Sequence, residues 1–126
     1  MKDIKLIKAD TCSPDETIHD IAKKMAKKRL RRFFVVDKSK KLIGIVTTVD
    51  IINEVVSKHK EPSKVKVKDI MEKKVRYIDV NDSLDDALKI MNKLNTFVCP
   101  ITKNKKLLGI VSYQNIISSV TKSMRN

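Results

Sequence analysis

The chain states one pattern twice. Displaced by 66 residues, Lys2-Asp3-Ile4 falls on Lys68-Asp69-Ile70, Asp20 on Asp86, Lys23 on Lys89, Met25 on Met91 and Val35 on Ile101. After Lys103-Asn104 the displacement is 65, so that Lys40-Lys41-Leu42 meets Lys105-Lys106-Leu107 and Gly44-Ile45-Val46 meets Gly109-Ile110-Val111. A turn absorbs the loss of one residue, and matches that persist on both sides of it identify an internal duplication. With 126 residues the chain is either one compact domain or two small halves that share a core. The repeat selects two halves, residues 1–61 and 62–126.

Both copies read alike. Ile18, Ile21, Ala22, Met25, Ala26 and Leu30 recur at helical spacing, as do Leu84, Ala87, Leu88 and Met91. Asp15 and the equivalent Asn81 are expected to cap these helices, with Ser13-x-x-Glu16 as a competing capping box. Phe33-Phe34-Val35-Val36 is a continuous apolar run that suits a buried strand. Lys38-Ser39-Lys40 turns the chain, Leu42 to Val46 returns as a strand, and a helix starts near Val49 or Asp50. Short extended pieces at Asp10–Cys12 and Arg76–Ile78 precede each unit. The expected fold is α/β, a β-α-β-β-α order used twice. Gly44 and Gly109 interrupt equivalent strands, where glycine marks close approach of a ligand or another backbone, or a bulge. The residues alone do not choose among these.

Composition narrows the partners. A formal charge of +13 favours polyanions, whether phosphate ligands, nucleic acid or an anionic surface. With no Trp, three Phe and two Tyr, stacking platforms for single strands are scarce. Cys12 and Cys99 lie far apart with only His19 and His59 as further soft ligands, so buried thiols are expected rather than a metal site. No apolar stretch is long enough to span a bilayer and the N-terminus lacks a secretory signal, which points to the cytoplasm. No nucleophile–base set or G-x-x-x-x-G-K-[ST] loop is present, so an enzyme is not expected.

The duplicated Gly44-Ile45-Val46-Thr47-x-x-Asp50 and Gly109-Ile110-Val111-Ser112-x-x-Asn115, the lead-in Val67-Lys68-Asp69-Ile70-Met71, and Pro14-x-x-Thr17-Ile18 resemble the cystathionine-β-synthase (CBS) domain. Two tandem copies resemble a stand-alone Bateman module, and the likeness covers essentially the whole chain. The resemblance implies two units packed sheet to sheet about a pseudo-twofold axis. It implies a sensor that binds AMP, ADP, ATP or S-adenosylmethionine, needs no cofactor, forms a homodimer through its helices and signals to a regulated partner. Ile116, Ile117 and Val120 would lie in that dimer interface or pack on their own sheet. The resemblance also implies two composite clefts. The first would use Ile45, Thr47 and Asp50 with Tyr77, Ile78, Cys99 and Pro100. The second would use Ile110, Ser112 and Asn115 with Thr11, Cys12, Phe33 and Phe34.

The chemistry of the motif suits that role. A carboxylate accepts from both hydroxyls of a ribose, and such charge-assisted bonds are strong. The competing reading is a helix cap, in which Thr47 or Asp50 only satisfies free N–H groups. Asn115 carries no charge, so the second cleft is expected to be the weaker. Phe34 stands where the family has proline and either stacks on a base or fills core; Pro100 keeps the family residue. Most of the basic run Lys23 to Arg32 reads as a solvated helix face, but Arg31 and Arg32 lead into the strand and are candidates for phosphate contacts. A nucleic-acid-binding basic protein is the alternative function.

Overall fold

The computed structural model describes residues 4–94 and 96–124, with the side chains of Leu94, Val120, Ser123 and Met124 outside the description. It divides into two compact units, Asp10–Val75 and Met1–Ala9 with Arg76–Asn126. The division by packing thus differs from the division by sequence copy. The lead-in of each copy folds onto the strand of the other copy.

In the Asp10–Val75 unit, β1 (Thr11–Cys12) runs parallel to β2 (Arg32–Val36), which pairs antiparallel with β3 (Leu42–Thr47). Between β1 and β2 lies α1 (Ile18–Lys28). It is amphipathic: Ile18, Ile21 and Met25 recur on one buried face while Lys23, Lys24, Lys27 and Lys28 stay exposed. Its cap is Thr17, whose Oγ1 accepts from the N–H of Asp20 at 3.2 Å. Neither Asp15 nor the Ser13–Glu16 pair starts the helix, because those residues close a turn of their own in which the N–H of Ser13 donates to Glu16 Oε2 at 2.8 Å. Arg29 ends α1 in the left-handed region with φ 54°. Ile18, Ile21, Met25, Phe33, Val35, Val46 and Val55 then share one core. Each such side chain stabilises the unit by roughly 1.5–3 kcal/mol.

A short α2 (Thr48–Ile51) follows β3 without a loop and continues as a wider π-type turn over Ile52–Val56. After a 3₁₀ turn at Pro62–Lys64, α3 (Val67–Ile70) is tied back to the entry of α1 by the N–H of Val67 on the Glu16 carbonyl at 2.9 Å.

The other unit repeats the plan. β4 (Ile78–Asp79) is parallel to β5 (Val98–Lys103), which is antiparallel to β6 (Lys106–Ser112), with α4 (Leu84–Leu94) between β4 and β5 and α5 (Tyr113–Met124) after β6. Ser83, the equivalent of Thr17, accepts the N–H of Asp86 at 3.2 Å, so Asn81 is not the cap. Asn81 instead joins a turn through its N–H on Asp79 Oδ1. Ile116 is fully buried in this unit's core with Ile78, Met91, Cys99, Ile101 and Val111, which removes it from any interface. Ile117 is exposed, and the Val120 side chain is outside the described residues.

The strand glycines have a structural cause. The N–H of Ile45 donates to the Glu72 carbonyl at 2.9 Å and the N–H of Glu72 returns a bond at 2.8 Å. Ile7 and Ile110 exchange the same pair at 2.8 and 2.9 Å. A Cβ on Gly109 would meet the Ile7 carbonyl oxygen at 2.7 Å, and one on Gly44 would meet Met71 Sδ at 2.8 Å and the Glu72 carbonyl oxygen at 3.1 Å. Each sheet also shifts register beside its glycine. Another backbone and a bulge together account for both residues.

Gly109→Ala must displace backbone, whereas Gly44→Ala first meets the movable end of Met71. We expect Gly109→Ala to cost about 1–3 kcal/mol in urea unfolding and Gly44→Ala less. Equal costs, or none at either site, would contradict the crossing as the cause.

Candidate functional site

Thr47 ends β3 in extended backbone and caps α2. Its Oγ1 accepts from the N–H of Asp50 at 3.1 Å. Asp50 Oδ2 accepts in return from the Thr47 N–H at 3.0 Å and from Thr47 Oγ1 at 2.9 Å. Two donors thus fall on one carboxylate oxygen. Among the described residues, Oδ1 accepts no hydrogen bond and keeps both lone pairs. The cap therefore exists, and it uses half of the carboxylate.

The second copy does less with Asn115. The Asn115 N–H donates to Ser112 Oγ at 3.0 Å, and Ser112 Oγ donates to Asn115 Oδ1. That occupies one of the two lone pairs of the amide oxygen, and its NH₂ can only donate. Asp50 therefore keeps a charged oxygen with both lone pairs free, and Asn115 one neutral lone pair beside two N–H donors.

Arg32 pairs with Thr47 across β2 and β3, so its side chain starts beside the motif. It is half-buried, and burial lowers its pKa from the ordinary guanidinium value. Among the described residues no carboxylate lies within ion-pair distance of it. Arg31 is exposed, and its carbonyl accepts the N–H of Thr48 at 2.9 Å. The lysines of α1 behave differently: Lys24 pairs with Glu16, and Lys28 with Asp10 at 3.3 Å, on the exposed face. Surface pairs of this kind contribute at most about 1 kcal/mol.

Each expected cleft draws on both compact units. Within the Asp10–Val75 unit, Ile45 pairs with Phe34, and Phe34 with Thr11. The strand residues found with Thr47 and Asp50 in one unit are thus Thr11, Cys12, Phe33 and Phe34. Ile110, Ser112 and Asn115 share their unit with Tyr77, Ile78, Cys99 and Pro100, where Pro100 pairs with Ile110. Cys12 and Phe33 belong to one core, and Ile78 and Cys99 to the other. Phe34 and Pro100 are buried, and Thr11 and Tyr77 are exposed.

Phe97 and Tyr113 are the residues that reasoning from the sequence passed over. Their rings meet edge to face with centroids 6.4 Å apart, beside Ser112. The repeat placed them opposite Arg31 and Thr48, which was the available signal. Among the described residues no group of three or more His, Cys, Asp and Glu side chains is placed to hold a metal ion. No helix among them is long and apolar enough to cross a membrane.

Burial pushes the Cys12 thiol up to about 12 and the Cys99 thiol up to about 11, from an ordinary 9.0. A raised thiol stabilises the fold fully below pH 9.0, and that contribution is lost as pH climbs towards the folded values. At pH ~8 we expect a disulfide reagent to leave the native protein untouched and to titrate both thiols in urea. Rapid reaction of the native protein would contradict the burial.

A family model described as the CBS domain matches residues 2–57 and 67–122. An uncharacterized protein of Methanopyrus kandleri is 35% identical over 108 residues, 85% of this chain and 55% of that protein. One of Bacillus subtilis is 31% identical over 113 residues, 89% of this chain and 76% of that protein. The chain spans little more than half the length of two archaeal relatives, 55% and 58%, and less of others. The solved CBS-domain containing protein of Agrobacterium tumefaciens has the same fold, with a TM-score of 0.69 and 23% identity over 90% of either chain.

Proposed function

The chain belongs to the CBS-domain family as a tandem pair, and on that premise we propose that it is a sensor whose Thr47–Asp50 motif holds the ribose of an adenosyl ligand. CBS pairs are regulatory modules that commonly bind such ligands. The ligand class is AMP, ADP, ATP or S-adenosylmethionine. The observation that carries this reading is the division of labour on Asp50. Oδ2 completes the cap, and Oδ1 remains to accept from ribose hydroxyls. Arg32, the strand partner of Thr47, and its neighbour Arg31 are the forked donors we assign to a phosphate. Ile45 and Phe34 supply apolar surface on the same sheet. Ligand signals by favouring one of two arrangements of the protein, and only to the extent that it binds them unequally. The module acts as a sensor and not a catalyst, and turnover of nucleotide by pure protein would overturn that part. The free thiols suit a reducing cytoplasm.

Calorimetric titration with AMP, ATP and S-adenosylmethionine tests the reading. At least one is expected to bind saturably, and Asp50→Ala to weaken it about ten- to a hundredfold, the worth of a charge-assisted bond of about 1.5–3 kcal/mol. Asn115→Ala should cost less. No binding by any of the three, or equal effects of both substitutions, would refute it. A steep salt dependence towards nucleic acid with no response to free nucleotide would favour the basic surface instead.

The family is often dimeric. Val49, Ile52 and Val56 are 60, 55 and 60% exposed along α2 and its extension. Ile52 lines a groove with Ala22, Met25, Ala26 and Leu30. This apolar face supports a second copy as its cover. Light scattering is expected to give twice the chain mass, and Ile52→Glu to return it to the monomer. A monomeric wild type would sink the dimer.

A further inference from the structure

The two copies share one backbone junction and surround it with opposite chemistry. In copy one the Thr48 N–H donates to the Arg31 carbonyl at 2.9 Å, and Arg32 pairs with Thr47. In copy two the Tyr113 N–H donates to the Phe97 carbonyl at 2.7 Å, and Val98 pairs with Ser112. The same hydrogen bond and the same strand pair make Arg31 equivalent to Phe97, Arg32 to Val98, Thr48 to Tyr113 and Asp50 to Asn115. One junction presents two guanidinium groups and a carboxylate. The other presents two aromatic rings, an isopropyl group and an amide.

Phe97 is 74% exposed, more than any other large apolar side chain among the described residues. It is held against Tyr113 with an interplanar angle of 80°. An edge-to-face pair leaves a ring face open, and every base has a π-face to lay on it. Asn115 Oδ1 already accepts from Ser112 and carries no charge, while its NH₂ offers N–H donors to a sugar oxygen or a ring nitrogen. A phosphate finds no cation at the positions of Arg31 and Arg32. Lys5 and Lys122 line an open cavity of about 450 Å³ with Asn115. Both are exposed point charges on flexible stems, unlike the half-buried fork of Arg32.

We propose that the Ser112–Asn115 motif, with Phe97 and Tyr113, binds an adenosyl moiety that carries no 5′ phosphate, while the Thr47–Asp50 motif takes the phosphorylated one. The proposal rests on the adenosyl reading above and makes the second motif different in kind, where a loss of charge alone would make it merely weaker.

Adenosine and AMP are the probes. In Asp50→Ala, which impairs the first motif, both should bind the remaining site within about threefold of each other. Adding Phe97→Ala should weaken both by at least about fivefold, the lower end of base–aromatic stacking. In Asn115→Ala, AMP should bind at least about tenfold tighter than adenosine, because the surviving motif reads the phosphate. Should Asp50→Ala fail to fold, Asp50→Asn keeps the Thr47 cap and gives the same comparison. An AMP preference of about tenfold in the Asp50 variant would assign the anion to cations such as Lys5 and Lys122 and overturn the proposal. So would an unchanged affinity on Phe97→Ala. Both outcomes leave the adenosyl reading standing. Binding of neither probe, nor of ATP or S-adenosylmethionine, to the wild type would remove that reading and this proposal together.

Discussion

Each unit hangs on one backbone crossing. A lead-in segment trades two hydrogen bonds with Ile45 or Ile110, the residue after the strand glycine. Its carbonyl passes through the space a Cβ would fill. Hydrogen bonds of this kind are worth about 1 kcal/mol each, but leaving the groups buried and unpaired costs more. The crossing therefore fixes β3 and β6 in place. Both strands end within two residues, at Thr47 and Ser112, where the chain turns into a helix. The position of the motif is a consequence of the position of the glycine.

Capping and ligand binding are usually posed as rival explanations of a T-x-x-D sequence. Here the cap leaves atoms over for the other role. Asp50 has two oxygens, and the helix takes one. Asn115 has one oxygen, and Ser112 uses part of it. A single change of side chain thus replaces a free charged oxygen with an NH₂ donor while the backbone stays the same. Aromatic rings at the neighbouring positions of copy two change the character of the junction in the same direction.

The formal charge of +13 is spread unevenly in its effect. On α1 the lysines are exposed, and two of them meet carboxylates, so they act mainly through the long-range field. Arg32 is half-buried opposite Thr47, with no carboxylate within ion-pair distance among the described residues. Less water surrounds it, so an anion placed there feels it more strongly. The lysines of α1 thus add to a general attraction for anions, and Arg32 to a local one.

The duplication, the β-α-β-β-α order and the strand-to-helix motif were legible in the residues, because periodicity and turn chemistry are local. The helix caps were misjudged by two residues, since Ser13 to Glu16 satisfied one another in a turn before the helix began. The glycines were readable as special, but their cause was not. Glu72 meets Ile45, and Ile7 meets Ile110, across long stretches of chain, and no local pattern encodes that partner choice. Burial likewise needed the tertiary structure. Cys12, Phe33, Ile78 and Cys99, which the resemblance implies as cleft residues, lie in the two cores. Phe97 looks like one more apolar residue before a strand and stands in solvent. Sequence by itself determined which segments form strands and helices and which residue types meet at the two junctions. Only the tertiary structure decided which segment closes each sheet and which side chains remain outside the core, because both follow from packing between residues far apart in the chain.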